Sequence, residues 1–173
     1  LLQTAGALAA NLGPVTGKGV GVAVIDSGVA NLPQFANRVL LRKDFTGGKN
    51  PLDQNGHGTH VAGIIAASAA GVADGTTGVA PGAHIISLKV LDDEGQGQAS
   101  NLIAAIEAIQ EINGHGRYLR IHGVNLSVGY EFDAEMFACG QSPICAEVNR
   151  LVQSGVVVVA AAGNTGYGTV GAL

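Results

Sequence analysis

The sequence predicts an α/β domain in which a parallel β-sheet carries helices on both faces. Apolar, β-branched runs recur along the chain, and segments with helical spacing separate them. This alternation is typical of parallel sheets, whose strands are buried on both faces and therefore read as continuous apolar runs. With 173 residues, of which 47% are apolar and 13% charged, the chain has the size and composition of one folded domain.

The strands are predicted from the apolar runs. A short run at 39–41 is a candidate edge strand, and four longer runs are predicted to be buried strands: 19–25, 84–91, 121–127 and 156–162. Helices are predicted at 1–12, from His57 through the apolar residues after Val61, at 100–112 with Ser100 as the cap, and at 147–153.

Charge and hydropathy exclude several classes of partner. The net charge is −4 and the nine Lys and Arg residues are scattered, so we expect no binding to nucleic acid or to an anionic membrane surface. No apolar run reaches the ~18 residues that a membrane-spanning helix needs. Cys139 and Cys145 are close enough in sequence for a small disulfide in an oxidising compartment, or they are two idle thiols. Their neighbourhood offers no further ligands for a metal site.

Polar residues follow two of the buried runs, and a histidine opens a helix. Asp26 ends the first run, at the edge where open α/β sheets place their active sites. His57 opens a helix of small residues, and a histidine titrates near neutral pH, which suits proton transfer. An aspartate that accepts the Nδ1 proton of a histidine fixes its tautomer. Asn164 follows the last run and would offer an amide donor to an oxyanion.

Three segments carry a resemblance to a known family. The segments are VAVIDSG around Asp26, NGHGTHVAG around His57 and GVVVVAAAGN, which ends at Asn164. They resemble motifs of the subtilisin-like serine proteases, and the likeness covers about residues 15–166. The resemblance implies a three-layer αβα fold with Rossmann-like topology. It also implies that His57 is the general base, that Asp26 orients it, and that Asn164 supplies the oxyanion hole.

The resemblance further implies where a peptide substrate binds. Two backbone segments would flank the peptide, and a third would line the pocket for the residue before the scissile bond. These predicted substrate residues are Gly95, Gln96 and Gly97, then Ser127, Val128 and Gly129, and finally Ala161, Ala162 and Gly163.

One departure from the family pattern concerns the nucleophile. The family's serine lies in a Gly-Thr-Ser-Met-Ala type of motif, which this chain lacks. Ser27 follows the acid, Ser100 is a predicted helix cap and Ser127 lies in a predicted substrate segment. We therefore expect residues 1–173 to be one catalytic domain that is incomplete at its C-terminus and inactive alone, with the nucleophile beyond residue 173. The segment 130–145 is a second departure, because it is longer than the turn expected there.

The function expected for the intact protein is that of a secreted, monomeric serine endopeptidase that acts on peptides or proteins and needs no cofactor for its chemistry. The alternative is a non-catalytic module that binds peptides by adding them as a strand. The acidic run Asp92, Asp93 and Glu94 is either a solvated cluster or part of a structural calcium site. His60 is expected to be buried and structural.

Overall fold

The computed structural model describes residues 15–70, 77–129 and 140–164. Within them, all strand pairings are parallel and form a five-stranded sheet of order β2-β3-β1-β4-β5. The strands are β1 (Gly21–Asp26), β2 (Val39–Asp44), β3 (His84–Lys89), β4 (Gly123–Leu126) and β5 (Val157–Ala160). The predicted parallel sheet is confirmed, and β2 lies at its edge as expected.

Helices cover both faces of this sheet. They are α1 (His57–Ala66), α2 (Ala99–Ile112) and α3 (Pro143–Gln153), and a short 3-10 turn, Ala36–Arg38, precedes β2. Side chains of α2 and α3 share one buried cluster with β1, β3 and β4. Those of α1 share a second cluster with the opposite face of β1 and β3. This arrangement confirms the predicted αβα layering.

Small residues on α1 allow it to pack closely against the sheet. Its buried positions are Gly58, Ala62 and Ala66, spaced four residues apart along one face. His60 is exposed, so the prediction of a buried His60 is wrong. At 100° per residue, His60 points about 200° away from Gly58 and therefore away from the sheet.

Two predicted helix starts need correction. Helix α2 begins at Ala99, and its N-cap Gln98 makes no side-chain capping bond. Ser100 therefore lies inside the helix and is not its cap. Helix α3 begins at Pro143, four residues before the predicted start, because Ser142 caps it and accepts a hydrogen bond from the Cys145 N–H. Proline suits the first turn, where its missing N–H leaves no bond unmade.

The last strand is less buried than its apolar run predicts. Val157 and Val159 are 65% and 59% exposed, so the prediction of a fully buried strand is wrong. Val158 points to the opposite face and packs against the core beneath α2 and α3. Within the described residues β5 is the edge strand opposite β2. Helix α1 contacts β1 and β3 on the face that Val157 and Val159 share, and it does not cover β5.

Some predictions fall wholly or partly outside the described residues. These include the helix at 1–12, most of the long segment at 130–145, and any pairing of Cys139; Cys145 itself carries a free thiol in α3. Among the described residues, no helix is both long and apolar enough to cross a membrane.

Candidate active site

The strand register brings the predicted site residues to one edge of the sheet. Ile25 of β1 pairs with Leu126 of β4, and Leu126 pairs with Ala160 of β5. Neighbouring strands lie about 4.8 Å apart. The chain therefore leaves the three strands at the same edge of the sheet. The residues that follow the paired positions are Asp26 on β1 and the segments 127–129 and 161–164.

Asp26 and His57 form the centre of the site. Asp26 is the last residue of β1 and is 0% exposed. His57 is the first residue of α1, and its Nδ1 lies 2.8 Å and 2.9 Å from the two carboxylate oxygens of Asp26. The Ser27 N–H also donates to Asp26 Oδ1, at 2.7 Å. The predicted contact between residues 26 and 57 is present in the structure.

The pair is arranged for proton transfer. A carboxylate only accepts hydrogen bonds, so its contact requires a proton on Nδ1, and in the neutral imidazole Nε2 then carries the lone pair. The His57 side chain is 52% exposed, whereas the Asp26 side chain is fully buried. A group approaching from solvent can therefore reach Nε2 while the buried carboxylate holds the ring. This is the chemistry of a general base oriented by an acid.

Asp53 is a buried carboxylate that the sequence analysis missed. Its Oδ1 accepts hydrogen bonds from Ser27 Oγ at 2.9 Å and from the N–H groups of Asn55 and Gly56 at 3.0 Å and 2.8 Å. Its Oδ2 accepts from the N–H and the hydroxyl of Thr59. Gly56 is the N-cap of α1 and has no side chain for capping. Asp53 therefore accepts from the N–H groups of Gly56 and Thr59 in its place, which satisfies two of the free donors at the start of the helix.

The pKa of Asp53 lies below its ordinary value of 3.8. Burial alone would raise it, but hydrogen bonds from the Thr59 hydroxyl, the N–H groups of Gly56 and Thr59, and the Ser27 hydroxyl outweigh burial. The carboxylate therefore stays charged in the fold, at the positive end of the α1 dipole. An aspartate three residues before a glycine N-cap is the sequence signal that could have identified it.

Hydrogen bonds also connect Asp53, through Ser27, to the backbone segments that carry Asp26 and His57. Ser27 follows Asp26 in the chain, and its Oγ accepts from the Gly58 N–H at 3.0 Å. Gly58 follows His57, so the Ser27 hydroxyl joins the two backbones. Thr59 Oγ1 accepts from the Ala30 N–H at 2.9 Å, which holds the chain beyond β1 against α1 in the same way.

A glycine permits this close approach of helix and strand. A Cβ added to Gly58 would lie 2.2 Å from the Gly28 carbonyl oxygen and 3.1 Å from both Cβ and Oδ1 of Asp26. No larger residue fits there without moving the backbone. Gly28 itself has φ +107°, in the left-handed region that glycine adopts without strain.

The predicted substrate segments lie at the same edge as the pair. Gly95 and Gln96 belong to a turn closed by a hydrogen bond from the Asp92 N–H to the Gln96 carbonyl, and Gly97 forms an antiparallel bridge with Leu91. Ser127, Val128 and Gly129 continue from β4 without regular structure. Segment 95–97 follows β3 and segment 127–129 follows β4, and these two strands lie on either side of β1. A groove between the two segments would therefore lie beside Asp26.

The segment after β5 is accessible. Ala161, Ala162, Gly163 and Asn164 are all exposed. Gly163 has φ +88°, so a glycine is favoured at the turn that precedes Asn164. The structure thus places Asn164 near the carboxyl end of β5, at the same edge of the sheet as Asp26.

No candidate nucleophile contacts His57 in the part of the chain that the structure describes. The hydrogen bonds of the His57 ring there go to Asp26. Ser27 is fully buried, with its hydroxyl bonded to Asp53. Ser127 accepts a hydrogen bond from Asn125 Nδ2 at 2.6 Å.

The carboxylates of Asp92 and Asp93 in the acidic loop take part in hydrogen bonds and in an ion pair. Asp93 Oδ1 pairs with Lys89 Nζ at 2.7 Å, and Asp92 Oδ1 accepts from the N–H groups of Glu94 and Gln96. Across the described ranges, no group of three or more His, Cys, Asp or Glu side chains is arranged to hold a metal ion. The loop carboxylates that have partners are thus engaged within the loop or with Lys89.

Comparison with known proteins identifies the family of the chain. The model of the subtilase family matches residues 17–172. The serine protease AprX of Bacillus subtilis is 35% identical over 156 residues, which are 88% of this chain and 34% of that protein. The major intracellular serine protease of the same organism is 38% identical over 165 residues, or 89% of this chain and 46% of that protein.

A solved structure supports the same conclusion. Sphericase superposes with a TM-score of 0.70 at 36% identity, covering 88% of this chain and 48% of that one. The chain thus spans less than half the length of each of these three relatives. Since the family match extends over nearly all of its residues, the chain belongs to the subtilase family.

Proposed function

We propose that the intact protein is a serine endopeptidase and that this chain supplies two members of its triad. The observation that carries the proposal is the buried Asp26 carboxylate bonded to Nδ1 of a half-exposed His57. Family membership and relatives named as serine proteases support the same reaction class. The nucleophilic serine is proposed to lie beyond residue 173.

The proposed reaction forms and then hydrolyses a seryl ester. His57 Nε2 takes the serine proton as the oxygen attacks the peptide carbonyl, and returns it to the leaving amine. Asp26 stabilises the imidazolium that forms in between. Asn164 is proposed to donate its amide to the tetrahedral oxyanion. No cofactor takes part in these steps.

The proposed substrate is a peptide or protein bound between segments 95–97 and 127–129. Ala161, Ala162 and Gly163 are small, so a pocket that they line would accept large apolar side chains. We also propose that the intact protein is secreted and monomeric. One relative is named an intracellular protease, so secretion needs a direct test, which is fractionation of the source cells.

A fluorophosphonate probe on the full-length protein tests the reaction class, since it labels only an activated serine. We expect one labelled serine downstream of residue 173 and no labelling of the His57→Ala variant. His60→Ala is the matched control, because His60 is also exposed and lies on the same helix but does not touch Asp26. It should label normally.

Two outcomes would overturn the proposal. Labelling of the 173-residue chain by itself would place the nucleophile within it. Absence of labelling in the full-length protein, together with binding of an extended peptide, would favour the non-catalytic peptide-binding module.

A further inference from the structure

Lys89 is a buried lysine that connects the two loops beside the His57 site. It is the last residue of β3, and its side chain is 3% exposed. Its ammonium donates to Asp93 Oδ1 at 2.7 Å and to the Leu52 carbonyl at 3.3 Å. Leu52 lies directly before Asp53, and Asp93 lies just before the predicted substrate segment 95–97. One cation therefore bridges the loop that leads to His57 and the loop that carries this segment.

Asn55 makes a second connection between the same loops. Its Nδ2 donates to the Asp93 carbonyl at 3.1 Å, and its Oδ1 accepts from the His57 N–H at 3.3 Å. A Cβ added to Gly95 would lie 3.4 Å from Asn55 Nδ2, so the segment passes close to this side chain. Asp93 is thus held through its carboxylate by Lys89 and through its backbone by Asn55.

A cavity of about 650 Å³ lies between these loops. Residues from 44–50 line one side, residues from 92–98 line the other, and Lys89 forms part of the wall. Lys89 and Asp93 both line the cavity, so their ion pair lies in its wall. Leu52 and Asn55, which make the other contacts between the two loops, lie outside this lining.

The two members of the ion pair lie in different environments. The Lys89 side chain is almost fully buried, whereas that of Asp93 is 56% exposed. Burying an ammonium costs free energy that an apolar side chain of similar length would avoid. What the ammonium adds is a directed contact with both loops.

We propose that Lys89 is a positioning residue for the substrate, which holds segment 95–97 at a fixed distance from His57 so that an extended peptide can align along it. The inference rests on the proposed function, because it concerns the same groove. Lys89 touches neither Asp26 nor His57 through its side-chain hydrogen bonds, so its role is in peptide alignment and not in proton transfer.

The test compares Lys89→Met with Lys49→Met in the full-length protein. Lys49 lines the same cavity but is exposed, so the control changes the same residue type without removing a buried contact. For Lys89→Met we expect KM for a peptide with four residues before the cut to rise about tenfold, with kcat within about twofold, because a hydrogen bond to a charged group is lost. The kcat/KM for a single-residue ester, which does not reach segment 95–97, should stay unchanged, as should the rate of fluorophosphonate labelling.

Asp93→Asn is the second variant, in case Lys89→Met does not fold. It keeps an oxygen acceptor for Lys89 and should raise the same KM by a smaller factor. Equal losses for long and short substrates in both variants would show a general structural role and would overturn the inference. Unchanged KM for the long peptide would also overturn it.

A binding measurement separates this inference from the proposed function. The anisotropy of a fluorescent, non-cleavable peptide reports its Kd whether or not the protein is an enzyme. If wild type does not label with the fluorophosphonate but binds the peptide about tenfold more tightly than Lys89→Met, the proposed function fails and the inference stands. If the two bind the peptide equally, or wild type does not bind it, the inference fails.

Discussion

The Ser27 hydroxyl donates to Asp53 Oδ1 at 2.9 Å and accepts from the Gly58 N–H at 3.0 Å. Ser27 follows Asp26 and Gly58 follows His57, so this hydroxyl lies between the backbones that carry the pair. Asp53 fixes its orientation, because a carboxylate can only accept and the hydroxyl must donate to it. The geometry of Asp26 and His57 therefore depends on a carboxylate that contacts neither side chain directly.

Asp53→Ala should destabilise the fold and lower activity. It leaves the N–H groups of Asn55, Gly56 and Thr59 without their carboxylate acceptor and frees the Ser27 hydroxyl. We expect a loss of about 2–4 kcal/mol in the free energy of unfolding, from a lost helix cap and unmet buried donors. Urea denaturation measures it, with Gln54→Ala, an exposed neighbour, as the control. A variant as stable as wild type would contradict the role of Asp53.

The stability contributed by Asp53 should depend on pH in the acid range. Its pKa is lowered in the fold, so the folded state binds its proton more weakly than the unfolded state does. The stabilisation by Asp53 is fully present above the pKa of the unfolded state, near 3.8, and is lost as the pH falls through the lower pKa of the folded state. The difference in unfolding free energy between wild type and Asp53→Asn should therefore shrink below about pH 4. A difference that stays constant from pH 6 to pH 2 would rule this out.

Asp26→Asn should reduce catalysis in the full-length protein without removing the nucleophile. The amide can turn its NH₂ toward Nδ1 and so favour the wrong tautomer of His57. In serine-protease triads this change lowers kcat by about 10⁴-fold. Initial rates on a peptide substrate measure the loss. A decrease of less than tenfold would mean that the carboxylate does not orient the base.

Two glycines of α1 should respond in opposite ways to alanine. Gly58→Ala would bring a Cβ to 2.2 Å from the Gly28 carbonyl, so the helix must move away from Asp26 and both stability and kcat should decrease. Gly63→Ala meets no atom within 4 Å and should stabilise the helix by about 0.5–1 kcal/mol. Thermal unfolding and kcat, measured for both variants, test these two predictions. Equal effects of the two substitutions would contradict the close packing at Gly58.

Asn164→Ala tests the proposed oxyanion donor. An amide that binds the oxyanion only in the transition state should affect kcat and leave KM nearly unchanged, with a loss of about 10²–10³-fold. Steady-state kinetics on the full-length protein separates the two constants. A rise in KM at constant kcat would instead assign Asn164 to ground-state substrate binding.

Local signals explain which predictions succeeded. The apolar runs predicted each described strand, because parallel strands buried on both faces need such runs. Asp26 and His57 were identified from chemistry and motif, since each follows a recognisable element boundary. Start positions were less accurate: Ser100 has the composition of a cap but lies within α2, and Pro143 begins α3 earlier than its apolar pattern suggests.

Other features could not be predicted from local patterns. The exposure of Val157 and Val159 depends on which strand lies at the sheet edge, and the exposure of His60 depends on which face of α1 meets the sheet. Lys89 and Asp93 are four residues apart in sequence, but the burial of one and not the other is a property of the packed loops.

The sequence by itself determined the residue types at the site, their order along the chain and the class of sheet that carries them. Tertiary structure alone decided that residues 31 positions apart meet at 2.8 Å, and that Asp53 and Lys89 support the surrounding loops. The physical reason is that propensity and periodicity act over a few neighbouring residues. Hydrogen-bond distances between loops are instead set by strand register and by the side chains packed between the layers.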